Sequence, residues 1–152
     1  METTRLSLTL FLSGEVHSTW RDSFIEAVEA RQLPIQFIAP VTEHAASDNA
    51  GEVLGHEDQS FWKDQKSAKV NAIRIRTGIQ RADVVIVKFG EKYRQWNAAF
   101  DAGFATALGK PLIVIHPPDF QHALKEIDAA ALAVAETQEQ VIEVLAYLTQ
   151  QK

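Results

Sequence analysis

The sequence contains no cysteine, which excludes disulfides, thiolate metal sites and thiol nucleophiles and fits a reducing cytosol. It also lacks an excess of basic residues. Fifteen Lys+Arg against 20 Asp+Glu give a formal net charge of −5, so the electrostatic footprint of a nucleic-acid-polymer binder is missing. Attraction to an anionic membrane is not expected either. The longest apolar runs, Val84–Val87 and Leu112–Ile115, are too short to cross a bilayer, and no basic-then-apolar leader opens the chain. The glycines form no GxGxxG or GxxxxGK pattern, which disfavours Rossmann-type dinucleotide binding and P-loop ATP hydrolysis, and HExxH is absent. His17, His44 and His56 therefore have no metal-ligand spacing, and neither a metal nor an organic cofactor is expected. What remains is a soluble, cytoplasmic chain of 152 residues, read as one domain over residues 1–152.

Three short runs rich in β-branched residues read as strands buried on both faces: Leu8–Ser13, Ala82–Lys88 and Pro111–His116. Pro34–Ala39 is a fourth strand, and Ala130–Ala135 is a weak fifth because alanine is a poor strand former. Amphipathic helices lie between them. Thr19 with Asp22 has the spacing of a capping box before a stripe of Trp20, Phe24, Ala27 and Val28. Lys63–Gln80 repeats Ala68, Ala72, Ile75 and Ile79. Asn97–Leu108 presents Phe100, Phe104, Ala107 and Leu108 as its core face and stops at Gly109. A short helix covers Asp119–Ile127, and Thr137 with Gln140 opens a last helix carrying Val141, Val144, Leu145 and Leu148. The alternation implies an α/β fold with helices on both sides of a parallel sheet. Five strands most simply give a single-domain, flavodoxin-like three-layer sandwich in the order 2-1-3-4-5. Val41–Phe61 is a polar stretch without a clear element, read as a loop with one helical turn near the ligand.

Ligands of open α/β sheets bind beyond the carboxyl ends of the strands, where the strand order reverses. That crevice gathers Ser13, Gly14, Glu15 and His17 after the first strand and Phe89–Gln95 after the third, followed by a helix whose first turn is expected to hold Asp101. Glu15 and Asp101 are then expected to share one cleft, and two such carboxylates are the minimal equipment for displacement at an anomeric carbon. Taken singly, each has a plainer explanation: Asp101 as a partner of the helix dipole, Glu15 as a solvated loop acid. Asp83 lies at the wrong end of its strand for chemistry and reads as structural, and Arg74, Arg76, Arg81 and Lys88 read as a solvated face. Trp20, Trp62 and Trp96 read as core or subunit contacts.

The segment Asn97–Pro111 (NAAFDAGFATALGKP), following Ala82–Phe89 (ADVVIVKF), resembles the nucleoside 2-deoxyribosyltransferase superfamily. The run LFLSGE ending at Glu15 is similar to that family's first strand and substrate-touching turn, and Thr42-Glu43-His44 to a motif of its 2-deoxynucleoside 5-monophosphate N-hydrolase branch. Leu12–Arg21 (LSGEVHSTWR) looks most like the YtoQ-like branch. The resemblance implies a retaining glycosyl transfer in which a carboxylate attacks the anomeric carbon of a deoxyribose and the nucleobase leaves. Carried over, the nucleophile falls on Asp101, where the family uses glutamate; aspartate is shorter by one methylene. The hydrolase branch's substrate-binding aspartate falls on Ile75, so that role passes to Asn71, with Asp64 as the runner-up.

The expected enzyme thus cleaves or exchanges the N-glycosidic bond of a (deoxy)nucleoside or nucleotide. Asp101 and Glu15 are catalytic, Glu15 as second acid or sugar-hydroxyl ligand, and Ser13, Gly14, His17, His44, Asn71, Arg94 and Asn97 bind substrate. Arg94, Lys92 and the amides opening the Asn97 helix are the partners of any phosphate. The expected partners are a small-molecule nucleoside or nucleotide and further copies of the chain in a homo-oligomer, with no nucleic-acid polymer and no membrane. Two alternatives stay open: a non-catalytic nucleotide- or nucleoside-binding module on the same fold, and an interaction role exercised through oligomerisation.

Overall fold

The computed structural model describes residues 6–91 and 95–150. Five parallel strands, β1 (Leu8–Gly14), β2 (Ile35–Ile38), β3 (Val84–Lys88), β4 (Leu112–Ile115) and β5 (Ala133–Ala135), form one sheet in the order β2-β1-β3-β4-β5. The order expected from the sequence is the order found. The described residues also form the helices α1 (Trp20–Ala30), α2 (His44–Asp48), α3 (Ser60–Arg81), α4 (Trp96–Ala107), α5 (Lys125–Ala130) and α6 (Gln138–Leu148). No helix among the described residues is long and apolar enough to cross a membrane.

The sheet has two cores because successive strand residues point to opposite faces. Leu10, Leu12, Val84, Ile86, Ile113 and Ile115 pack against Trp20, Phe24 and Val28 of α1 and Val141, Ile142 and Leu145 of α6. Phe11, Val85, Val87, Leu112 and Val114 pack against Ile79 of α3 and Ala98, Ala102 and Ala105 of α4. Gly78 lets α3 lie close to the sheet, since a Cβ there would stand 2.7 Å from the Phe11 ring. Ser13 shares the face of Phe11, so β1 presents its hydroxyl toward α4. Asp83 is structural as expected: its backbone amide donates to the Thr9 carbonyl at 2.7 Å and its carboxylate accepts from the Thr9 amide at 2.8 Å, stitching β1 to β3.

Several helix expectations are corrected. The buried stripe of α4 is Ala98, Asp101, Ala102 and Ala105, while Phe100 and Leu108 are exposed. Small side chains allow a helix to approach a sheet closely, and that advantage outweighs the size of Phe100, while Phe104 is partly buried and packs against this core as expected. Asp101 consequently sits in the second turn of α4, beyond the reach of the helix dipole. Thr19 precedes α1 without a side-chain capping bond, whereas the Thr137–Gln140 box does form. On α6, Ile142 is buried while Val144 and Leu148 are partly exposed. The expected helix over Asp119–Ile127 is a 3-10 turn, Pro118–Phe120, followed by the later-starting α5. The Val41–Phe61 stretch contains α2, whose amino end Glu43 caps by accepting from the amides of Ala45 (3.0 Å) and Ala46 (2.6 Å), and a 3-10 turn at Glu52–Leu54. Of the three tryptophans read as core or subunit contacts, Trp20 is a core residue and Trp62 and Trp96 are exposed on this chain.

Candidate active site

The carboxyl end of β1 organises the site. Gly14 has φ +125°, and a Cβ there would stand 2.1 Å from the Lys88 carbonyl oxygen, so only glycine fits. This conformation breaks the alternation of the strand. Ser13 remains on the α4 side, whereas Glu15 turns to the opposite side of the sheet edge.

On the α4 side lies a cavity of about 500 Å³, within the range of small-ligand pockets. The Ser13 hydroxyl donates to Oδ2 of Asp101 at 2.6 Å. Oδ1 accepts no hydrogen bond among the described residues and is not sealed from solvent. Asp101 is only 7% exposed. Burial pushes its carboxyl above the usual range, opposed by the Ser13 hydrogen bond and by the positive charge of Arg21. The α3 wall contributes Asp64, Ala68, Asn71, Ala72 and Ile75. Three members of the Ala68, Ala72, Ile75 and Ile79 repeat thus face the cavity, and one of them, Ile75, also packs against the core. The roof is α2 with His44, Ser47 and Asp48. Asn71 ties that roof down: its Nδ2 donates to the Ser47 carbonyl at 3.0 Å and reaches the Ser47 hydroxyl at 3.2 Å. Asn97 and Phe100 complete the α4 wall.

Glu15 does not join Asp101. It lines a second hollow of about 340 Å³, with His17, Lys88 and His116. Its carboxylate accepts from the His17 amide at 2.8 Å and from the Ser18 hydroxyl. Burial works against ionisation of Glu15, but those two donors and the charge of Lys88 outweigh it and lower the pKa. The expectation of one cleft shared by both carboxylates is thus corrected: the backbone at Gly14 sends them to opposite sides. His17 likewise lines the second hollow, and its ring stacks on that of His44 in the roof of the first at 5.2 Å. Lys88 flanks this second hollow and Arg76 lines the first, so both border cavities, while Arg74 and Arg81 keep the solvated position expected of them. Arg94 and Lys92 lie outside the described residues. No cluster among the described residues has the composition of a metal site.

Arg21 escaped the sequence reading. It is 7% exposed, and its guanidinium donates to the carbonyls of Leu12 (3.1 Å), Glu15 (2.8 Å) and Gly14 (3.2 Å), wrapping the turn that carries Ser13. Desolvation brings its pKa down to about 10, against the opposing charges of Glu15, Asp101 and Asp22; it stays cationic at neutral pH. The signal was available, since Arg21 shares a helix face with Phe24 and Val28.

The profile of the family described as nucleoside 2-deoxyribosyltransferase YtoQ matches residues 11–149. The chain belongs to this family. The YtoQ protein of Bacillus subtilis (strain 168), itself described as uncharacterized, is 42% identical over 144 residues, covering 94% of this chain and 97% of that protein. Two solved structures share the fold of this YtoQ-family chain. The 2-deoxyribosyltransferase of Bacillus psychrosaccharolyticus superposes with a TM-score of 0.52 at 16% identity, covering 90% of this chain and 95% of its own. The CMP N-glycosidase of Clostridium botulinum gives 0.51 at 12% identity, covering 91% and 98%.

Proposed function

We propose that this YtoQ-family protein cleaves or exchanges the N-glycosidic bond of a nucleoside or nucleotide, with Asp101 as the nucleophile. The observation that carries this reading is a buried carboxylate in the wall of a cavity of nucleoside size, oriented by Ser13 and with one oxygen free of hydrogen bonds among the described residues. In the reaction, Asp101 Oδ1 forms a bond to the anomeric carbon while the carbon–nitrogen bond breaks and its electron pair leaves with the base. Water or a second base then attacks the glycosyl ester and restores the carboxylate. The departing base needs a proton, and the other carboxyl groups of this wall, Asp48 and Asp64, are the candidates to supply it in place of Glu15 and to take a proton back from the attacking water or second base in the next step. Asn71 serves substrate binding by holding α2 over the cavity, beside His44 and Asn97. Aspartate in place of the longer glutamate requires the sugar to sit deeper, on the Ser13–Gly14 turn.

The test is release of free base from a panel of ribo- and deoxyribonucleosides and their 5′-monophosphates, followed by chromatography. Release from at least one compound, abolished by Asp101→Asn, supports the proposal. Unchanged release by that variant removes Asp101 from the mechanism. A compound that raises the melting temperature yet survives long incubation intact favours the second reading, a binding module. The burial that disfavours ionised Asp101 is the observation on that side.

A further inference from the structure

A buried guanidinium ordinarily meets a carboxylate directly, because an uncompensated charge in the interior is costly. Arg21 does not. Among the described residues it forms no ion pair, and its donors go to three backbone carbonyls, with its charge resting near the Trp20 ring at 4.9 Å. Those carbonyls belong to Leu12, Gly14 and Glu15, the residues on either side of Ser13, whose hydroxyl holds Asp101. Arg21 is absent from the lining of both cavities. It stands behind the wall, where it meets no ligand.

We infer that Arg21 is a positioning residue: it moulds the β1 turn around its guanidinium so that Ser13 donates to Asp101, and it sets a buried positive charge behind that carboxylate. The role rests on the reading of Asp101 as nucleophile, which must be anionic to attack. The carbonyl-only ligation is what suits Arg21 to this task. A direct partner would neutralise the charge, whereas carbonyl dipoles satisfy its donors and leave its positive field to act on Asp101. The other charged or titratable groups in Asp101's surroundings are Asp64 and Arg76 from α3 and His44 and Asp48 from α2, all on the cavity wall, while Lys88 of β3 borders the other hollow. Around Arg21 the acids are Glu15, Asp22 and Asp101. Arg76 lies on the solvent side, 5.9 Å from the Phe104 ring, so Arg21 is the buried cation of the group.

The deciding measurement is the titration of the Asp101 carboxyl carbon by ¹³C NMR, its resonance assigned with Asp101→Asn. It requires no substrate. In Arg21→Met the midpoint rises by about one pH unit, as expected when a nearby opposite charge is removed. In Arg21→Lys, which keeps the charge but not the three-carbonyl fork, the midpoint rises by clearly less than in Arg21→Met, because the charge stays while the hold on the Ser13 turn loosens. An unchanged midpoint in Arg21→Met overturns the inference. So does a full-unit rise in Arg21→Lys, which can be read alone if the Met variant does not fold. If titration follows Arg21 but no nucleoside is cleaved, the charge role stands and the glycosidic reading fails. If Asp101-dependent cleavage is found with no Arg21 effect on the midpoint, the reverse holds.

Discussion

Replacing Asp101 by asparagine separates the demands of chemistry from those of folding. The carboxyl's pKa is raised in the folded protein, chiefly by burial, with Ser13 and Arg21 pulling the other way. A raised acid pKa means the native state holds its proton more tightly than the unfolded chain does. Stability therefore falls as pH climbs from the unfolded carboxyl value toward the folded one, and the loss is complete above it. Each unit of displacement corresponds to about 1.4 kcal/mol at neutral pH. Asparagine is nearly isosteric, can still accept from the Ser13 hydroxyl, and carries no charge to desolvate. Asp101→Asn should thus unfold at a higher temperature at pH 7, by about 2–4 °C per kcal/mol for a chain of this size. The gain should shrink toward zero as the buffer is brought below about pH 4, where the parent carboxyl is neutral in both states. Differential scanning calorimetry from pH 3 to pH 8 gives the full curve. A variant that is less stable at pH 7, or a gain that does not change with pH, would refute the argument. The charge would then be adequately solvated where it lies, and the cost ascribed to it would not exist.

Gly14→Ala places a methyl against the Lys88 carbonyl in a left-handed conformation; a loss of about 3 kcal/mol or more is expected from the strain and the disturbed β1–β3 ladder, read from the denaturant midpoint, and a loss below about 1 kcal/mol contradicts the geometry. Asn71→Ala removes the ties to Ser47 and the Ser67 carbonyl; the α2 amides should exchange with solvent about tenfold faster or more while those of β3 keep their protection. Glu15 has a lowered pKa, so it contributes stability above its ordinary titration range that is lost as pH falls through the folded value. Glu15→Gln should accordingly lower the melting temperature at pH 7, with the difference shrinking as pH falls through the folded value, and a drop that does not change with pH would assign the effect to packing.

The sheet was legible because its strands are short apolar runs with both faces covered, and their alternation with helices restricts the topology. The candidate site was legible as a gathering of residues, in part. Ser13, Gly14, His44, Asn71, Asn97 and Asp101 do gather around one cavity, because strand ends and helix starts meet at the edge where strand order reverses. Two failures have local causes. Side-chain size was a poor guide to the inner face of α4, where closeness to the sheet favours alanine. The separation of Glu15 from Asp101 depends on one backbone angle at Gly14, and residue types alone do not reveal that a turn bends out of strand alternation. Arg21 was hidden for a related reason: a cation on an apolar helix face makes sense only once the carbonyls it serves are seen.

The cavity walls differ in how far they tolerate change. On the β1 side, Gly14 admits no heavier residue, so that boundary is closed to variation. Across from it, Ala68 and Ala72 carry the smallest side chains that a helix readily accepts, and each added methylene there would narrow the space without touching the sheet. Descendants of this protein that adopt a new ligand would therefore be expected to record the switch on the third helix, while the hinge of the first strand stays as it was.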